Sequence, residues 1–249
     1  MNNLPTQAQH KLENLKQAAR DSDALAKAAS DSAKTDRLKV AEAARMALNN
    51  VEVFLQQNSG KHFDLASAGK VPLRKNETPL QAVERVRKSI NETRVKLRNA
   101  QMARLSDVEL KAQAETYVDE MGKRAAPSLG IDLAKGLQVQ GDDFHKPVGQ
   151  PGSDIRASER ALGLLCWCMP DQVLAAIHAD IDRLPGNGVD SITKSEVVAE
   201  LQSELLTLER DEEAIICKAA QSGQIIPRRF DASPLAVLGI QFGTKAQAA

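Results

Sequence analysis

The sequence predicts an all-α protein in which a long N-terminal coiled-coil-like helical hairpin precedes a small helical C-terminal domain with an extended tail. Two observations predict this fold class. Aromatic residues make up only 3 % of the 249 residues, whereas β-sandwiches are enriched in them. The strong helix formers Ala, Leu, Glu, Lys, Gln and Arg are abundant, and apolar residues recur three and four apart over long stretches.

The first predicted helix runs from Thr6 to about Gln57, a stretch without glycine or proline. Its apolar positions repeat with coiled-coil spacing in two runs: Leu12, Leu15, Ala19, Ser22, Ala26, Ala29 and Ala33, then Ala41, Ala44, Leu48, Val51 and Leu55. The phase shifts near Asp36, which leaves two alternatives: a stutter in one helix, or a break between two helices. Alanine contacts bury little area, so these helices must pack on each other or on a partner.

The second predicted helix has the clearest start signal, Thr78-Pro79-Leu80-Gln81, in which threonine caps and glutamine reaches back. A second capping box, Ser106-Asp107-Val108-Glu109, predicts a break at 105–106, after which helix resumes to about residue 124. Two alternatives follow. The two long segments form one antiparallel hairpin, or each arm meets copies from other chains.

Glycine and proline punctuate residues 125–153, where Ile131, Leu133, Leu137 and Val139 could form one short hairpin. Three helices follow, at 154–169, 170–184 and about 194–222, the last opened by the capping box Thr193-Lys194-Ser195-Glu196. An apolar tail ends the chain. We therefore divide it into a long-helix arm (1–126), a Gly/Pro-rich linker (127–152) and a helical C-terminal domain with a docking tail (153–249).

Composition excludes several classes of protein. The formal net charge is zero, which argues against a globally basic nucleic-acid binder. The N-terminus has no basic start and no apolar run, so we expect no secretory signal peptide. The most apolar stretch, 161–169, is too short to span a bilayer, so we expect no membrane partner. Three cysteines in a chain of this length indicate reduced thiols.

No motif predicts catalysis. Cys166 and Cys168 are two apart, and on a helix such side chains point about 200° apart, so we interpret them as core thiols. The loop Asp142-Asp143-Phe144-His145 carries ligand-type side chains without an evident fourth ligand. We therefore predict no metal, no cofactor and no enzymatic activity.

Charge is strongly segregated along the chain. Residues 70–104 contain ten basic and three acidic residues, 105–143 contain four and eight, and 196–213 contain one and seven. On a helical wheel, Arg87, Arg94 and Arg98 lie beside the apolar stripe and suit ion pairs across a helical interface. Three alternatives remain for the basic segment: pairing with the acidic segments within or between chains, contact with nucleic-acid phosphates, or a solvated face. The candidate phosphate contacts are Arg74, Lys75, Arg85, Lys88 and Lys96.

Residues 208–214 and 226–239, including Ile226-Pro227-Arg228-Arg229-Phe230, resemble short uncharacterised proteins of phages and prophages in proteobacteria. The resemblance implies a viral origin, and hence a location in a virion or in the host cytoplasm. With the helical arm, it leads us to expect a structural or assembly protein, such as a virion, connector or scaffold component. Its partners would be copies of itself and other structural proteins, with a nucleic-acid-associated helical protein as the alternative.

Two residue sets carry the predicted association. The first is the oligomer interface: Leu12, Leu15, Leu48, Val51, Leu55, Val83, Ile90 and Leu97. The second docks the tail on a neighbouring subunit: Ile225, Ile226, Phe230, Leu235, Val237, Leu238 and Ile240. Both sets are apolar, and apolar surface of this extent is normally covered.

Overall fold

A computed structural model describes residues 4–71, 73–126, 128–132, 136–140 and 153–243; within 128–132, 136–140 and 153–160 it describes the backbone alone. Its helices are α1 (Thr6–Ala28), α2 (Asp31–Gln57), α3 (Pro79–Met102), α4 (Asp107–Ala125), α5 (Ser153–Cys168), α6 (Pro170–Ile181), α7 (Ser191–Gln221) and α8 (Pro234–Leu238). Its strands are β1 (Phe63–Leu65), β2 (Ser128–Asp132), β3 (Gly136–Gln140) and β4 (Ile240–Phe242). The predicted all-α class is therefore confirmed.

The chain divides into two compact units. Unit 1 combines residues 1–101 with 197–249, and unit 2 comprises residues 102–196. Unit 2 is thus inserted, in sequence, between the two parts of unit 1. The predicted arm, linker and C-terminal domain follow one another along the chain, whereas unit 1 joins segments from both ends of it.

The first helical segment is two helices. α1 ends at Ala28, Ala29 and Ser30 have extended backbone, and α2 begins at Asp31. Of the two alternatives drawn from the sequence, the break is correct, but it lies about six residues before the phase shift at Asp36. Ala8 and Leu15 of α1 pack with Val51 and Leu55 of α2, so α2 runs back along α1. Coiled-coil geometry for this hairpin stays a prediction.

The first hydrophobic cluster of unit 1 forms where this hairpin meets the end of the chain. Val237, Leu238 and Ile240, together with Phe63 of β1, pack against α1 and α2. β1 pairs antiparallel with β4, placing Phe63 opposite Phe242. The rings of Phe54, Phe63 and Phe242 lie 5.4–6.1 Å apart, centroid to centroid. Residues almost 180 positions apart thus share one core.

The second cluster joins α3 and α7. Ala82, Val83, Val86 and Ile90 of α3 pack against Ile215, Ile216 and Ala219 of α7, and Ile226 completes the cluster. The Thr93 hydroxyl bonds Glu204 at 3.3 Å and Arg87 bonds Glu212 at 2.7 Å, so the two helices are antiparallel. α3 begins as predicted, because the backbone N–H of Thr78 donates to Gln81 Oε1 at 3.0 Å and that of Gln81 to Thr78 Oγ1 at 3.3 Å.

Unit 2 contains α4, α5 and α6. α4 begins at the predicted capping box, where the backbone N–H of Glu109 donates to Ser106 Oγ at 3.3 Å. α4 and α5 approach closely through glycines: a Cβ on Gly122 would lie 3.1 Å from the Cys166 carbonyl oxygen, and one on Gly163 would lie 2.7 Å from Ala125 Cβ. β2 and β3 form the expected short antiparallel hairpin, with Ile131 opposite Leu137; the rest of the predicted linker lies outside the described residues.

The start of α7 corrects one prediction. The helix begins at Ser191, three residues before the position that the Thr193–Glu196 capping box indicated. Asp190 caps it instead, accepting the backbone N–H of Thr193 at 2.8 Å. Glu109 of α4 adds a second cap by accepting the Ser191 backbone N–H at 3.0 Å and its hydroxyl at 2.6 Å. Both contacts hold the pKa of their carboxyl groups below the usual values.

Candidate functional site

A network of eight charged side chains lies in unit 1, between α3, α7 and the C-terminal segment (residues 225–243). Consecutive ion pairs join Arg87, Arg94, Arg229, Glu209, Glu212 and Asp231, and Arg228 and Glu213 form a separate pair beside them. The three glutamates are buried, with at most 6 % of each residue exposed. The formal charges cancel, as a buried ion cluster requires.

Each buried glutamate is held by arginine. Glu212 accepts from Arg87 Nε at 2.7 Å and from Arg229 Nε at 2.9 Å. Glu213 accepts two bonds from Arg228, at 2.8 and 2.6 Å, in the planar paired geometry that guanidinium favours. Glu209 accepts from Arg94 at 2.9 Å and from Arg229 at 3.3 Å. Because Arg94 also pairs with Asp231, the network fastens the C-terminal segment to both α3 and α7.

For Arg87 and Arg94, the network shows which of the three alternatives for the basic segment applies. Both form the ion pairs across a helical interface that the helical wheel predicted, and they do so within the chain. Sequence reasoning missed Asp231 as a partner of Arg94, and it missed Arg228 and Arg229 as further members of the network. The run Arg228-Arg229-Phe230-Asp231, which follows the acidic run at 209–213, is visible in the sequence. Spacing alone, however, does not show which of these charged side chains form pairs.

Cys217 borders the network. Its Sγ lies 3.1 Å from Glu213 Oε1, a thiol donating to a carboxylate. Burial, and then the Glu213 charge, raises the pKa of this thiol to about 11. Cys217 therefore stays protonated near neutral pH and has little nucleophilic character. The thiol fills space beside the network and donates one bond to it.

The five candidate phosphate contacts differ in exposure and in ion pairing. Arg74, Lys75, Lys88 and Lys96 are exposed. Arg85 is not available in the same way, because its Nε and Nη2 each donate to Glu77 at 2.8 Å. Lys88 and Lys96 each lie four residues after a glutamate, Glu84 and Glu92, so the exposed face of α3 carries both signs of charge.

The residues predicted to form an oligomer interface lie in the core of this chain. Leu15, Val51 and Leu55 are buried in the first cluster, with Leu12 and Leu48 packed on it, and Val83 and Ile90 are buried in the second. Leu97 is half-buried on α3. A second copy cannot reach the buried members of this set while the chain keeps this fold. The coiled-coil spacing indicated burial correctly, but the partner is the same chain.

The predicted docking tail is also packed largely within its own unit. Ile226 is buried in the second cluster, and Val237, Leu238 and Ile240 are buried in the first, with Leu235 packed beside them. Ile225 and Phe230 are more than half exposed. Docking on a neighbouring subunit stays a prediction, and within this chain the buried members complete the core of unit 1.

Large apolar side chains are exposed in both units: among the described residues, twelve lie in unit 1 and nine in unit 2. The α5–α6 surface, which we define as Leu162, Leu165 and Met169, follows helical spacing of three and four residues, and 36–45 % of each residue is exposed. The two hydrophobic clusters described above both belong to unit 1. Among the residues of unit 2 whose side chains are described, the buried ones are mostly small: Ala114, Val118, Gly122, Gly163, Cys166 and Ile181.

The other candidate ligands do not assemble into a metal site. Cys166 is buried and Cys168 is exposed, so the two thiols lie on different sides of α5. Among the residues that the structure describes, no three His, Cys, Asp or Glu side chains are placed to share a metal ion. Residues 142–145 lie outside them. No single described helix is long and apolar enough to cross a membrane. Residues 161–168 and α6 meet this length and composition only as a pair, and the two helices are bent by 107° relative to each other.

Comparisons with protein-family models, with curated proteins and with solved structures find no match.

Proposed function

We propose that this chain is a non-enzymatic structural or assembly protein in which unit 1 is the folded body and unit 2 carries the docking surface. The observation that supports the proposal most is the α5–α6 surface. Leu162, Leu165 and Met169 lie half-exposed three and four residues apart, up to the junction of α5 with α6. Exposed apolar stripes of this kind on otherwise polar proteins mark interaction sites.

On the resemblance of residues 208–214 and 226–239 to phage and prophage proteins, we extend the proposal to a virion, connector or scaffold component. Such a component acts in the virion or in the host cytoplasm. The ion network suits this role, because paired charges hold the C-terminal segment on the body of the protein and leave unit 2 to meet partners.

The proposal is tested by placing a photo-crosslinking amino acid at Leu165 and, as the matched control, at Leu25. The two leucines are 45 % and 47 % exposed, but Leu25 lies on α1 of unit 1. In the cell that naturally produces the protein, irradiation should give a discrete covalent product from position 165 and none from position 25. Equal products from both positions, or none from either, would contradict an interaction role for the α5–α6 surface.

The alternative, a nucleic-acid-associated protein, is supported by the exposure of Arg74, Lys75, Lys88 and Lys96. Phosphate contacts release counterions, so the affinity for DNA should fall steeply with salt and be lost in a Lys88→Glu/Lys96→Glu variant. Unchanged retention of DNA by that variant removes this alternative.

A further inference from the structure

The α5–α6 surface lies in the unit whose net charge is negative. Unit 1 contains 23 basic and 18 acidic residues, and unit 2 contains 10 basic and 15 acidic residues. The formal charges are therefore +5 and −5, although the whole chain is neutral. The neutral total conceals two oppositely charged bodies.

This difference determines which partner suits the α5–α6 surface. An isologous contact between two copies of unit 2 would bring two bodies of charge −5 together, and like charges at an interface oppose association. A heterologous contact, unit 2 of one copy against unit 1 of another, brings −5 against +5. The charges thus favour contact between unit 2 of one copy and unit 1 of another. Where the same two chains do not return the contact, it runs head to tail and continues into a ring or a filament.

Exposed cations are present on unit 1 to meet an acidic partner. The network within the chain uses Arg87 and Arg94, but Lys88 and Lys96, on the same helix, remain exposed. Eight residues of helix separate the two lysines, or about 12 Å. On unit 2, Asp171 is exposed in the first turn of α6, two residues after Met169 of the α5–α6 surface. An acidic group therefore borders the apolar residues that would be covered.

We propose that the α5–α6 surface binds unit 1 of a second copy of this chain, head to tail, with Lys88 and Lys96 facing the acidic unit. This inference rests on the proposed function and names its partner. The apolar side chains supply the contact area, and the opposite charges select the orientation. The basic segment would then have a second role besides the internal network, on the surface of the same helix.

The test is sedimentation velocity of the purified full-length chain over a range of concentrations, at about 0.01 M salt and at about 1 M salt, where the screening lengths are about 30 Å and 3 Å. At low salt the mean mass should rise with concentration past that of two chains of 27.0 kDa. At high salt it should fall towards one chain.

Charge-reversed variants test the orientation. Lys88→Glu/Lys96→Glu makes unit 1 less basic, and Asp171→Lys makes unit 2 less acidic, so each variant alone should associate at least about tenfold more weakly than the natural chain. Mixing the two variants should restore association, because each reversed surface then meets its opposite. Circular dichroism verifies that each variant is folded. Restoration is the result that a merely destabilising substitution cannot produce.

The neutral variants Leu165→Ser and Leu25→Ser test the surface. The first should weaken association by about tenfold or more, since a leucine leaves the contact, and the second should leave it unchanged. Self-association that stops at a dimer, or that is insensitive to salt, would overturn the head-to-tail proposal. A monomer at every salt concentration would do so too. In either case, a crosslink from position 165 to a different protein would still support the proposed function. If the natural chain retains DNA and the Lys88→Glu/Lys96→Glu variant does not, the two lysines contact phosphates instead.

Discussion

At the residue scale, Glu212 occupies the centre of the ion network. It is 3 % exposed and is the acceptor for both Arg87 and Arg229. Glu212→Gln keeps the shape of the side chain but removes its charge, so Arg87 and Arg229 both lose a carboxylate partner. Breaking a buried ion pair from one side costs about 3–5 kcal/mol, because the remaining charge is uncompensated.

We therefore expect Glu212→Gln to lower the free energy of unfolding by about 3 kcal/mol or more, measured by urea denaturation followed by circular dichroism. The control is Asp180→Asn, which removes the partner of Arg183 from an ion pair that is more than three-quarters exposed on both sides. Exposed pairs contribute about 0–1 kcal/mol. Equal denaturation midpoints for the two variants would mean that the network does not hold the C-terminal segment.

Glu77 gives a prediction about pH. Bonds from Arg85, and then from the backbone N–H of Arg74, lower the pKa of this carboxyl from 4.5 to about 2. A group whose pKa is lower in the folded state stabilises the fold above its unfolded pKa, and this contribution is lost as the pH falls towards the folded pKa. The stability due to Glu77 should thus be complete above about pH 4.5 and absent near pH 2.

The measurement is the urea midpoint between pH 2 and pH 6 for the natural chain, Glu77→Gln and the control Glu84→Gln, which lies on the exposed side of α3. The difference between the natural chain and Glu77→Gln should shrink as the pH falls through this window. A difference that stays constant with pH would show that the Glu77–Arg85 pair is not formed in solution.

At the element scale, α4 and α5 pack through glycine at two positions. A Cβ on Gly163 would lie 2.7 Å from Ala125 Cβ and 3.3 Å from the carbonyl oxygen of Met121, so any side chain there must push the helices apart. We expect Gly163→Val to destabilise unit 2 by about 1–3 kcal/mol, the usual cost of overpacking. Trp167 lies on the same helix and reports the change, because its fluorescence follows the unfolding of this unit.

The matched control is Ala161→Val, which places valine at an exposed position of α5. Its effect should stay within about 0.5 kcal/mol, as for most surface substitutions. If both variants unfold at the same urea concentration, the close approach of α4 and α5 does not limit the stability of unit 2.

Elements whose boundaries are decided locally were predictable from the sequence. The capping boxes at Thr78 and Ser106 each use a side chain three residues from its partner, so their effect does not depend on the rest of the fold. α7 shows the limit: Asp190 and Glu109 cap it, and Glu109 is 82 residues away. The break at Ala29-Ser30 likewise carries no glycine or proline, and α1 and α2 are held as separate helices by packing on each other.

The candidate site was predictable in part for the same reason. The position of Arg87 and Arg94 beside the apolar stripe of α3 is a property of one helix, and it correctly indicated ion pairs at an interface. Their partners come from α7 and the C-terminal segment, more than 100 residues away, and only the folded chain brings them together. Apolar periodicity also identifies which face of a helix is apolar, but not whether that face meets its own chain, as for Leu15, or solvent, as for Leu165.

At the scale of the whole molecule, unit 1 contains both hydrophobic clusters and the ion network, although its two parts flank unit 2 in sequence. Unit 1 has the parts of an independent domain, and unit 2 has the position of an insertion. α3 and α7 are antiparallel, since Thr93 bonds Glu204 and Arg87 bonds Glu212. Residues 101 and 197 therefore lie at the same end of this helix pair.

A short loop can consequently replace unit 2. We expect a chain in which about six glycine and serine residues substitute for 102–196 to fold, because helix–helix connections of 2–8 residues are ordinary. Circular dichroism should show helix and a single cooperative urea transition. The same substitution with Glu212→Gln should lower its midpoint, since the network lies wholly in unit 1. Non-cooperative melting of the shortened chain would show that the two clusters need unit 2.

If it folds, the shortened chain should remain monomeric at low salt, because it retains Lys88 and Lys96 but has lost the α5–α6 surface that they are proposed to meet.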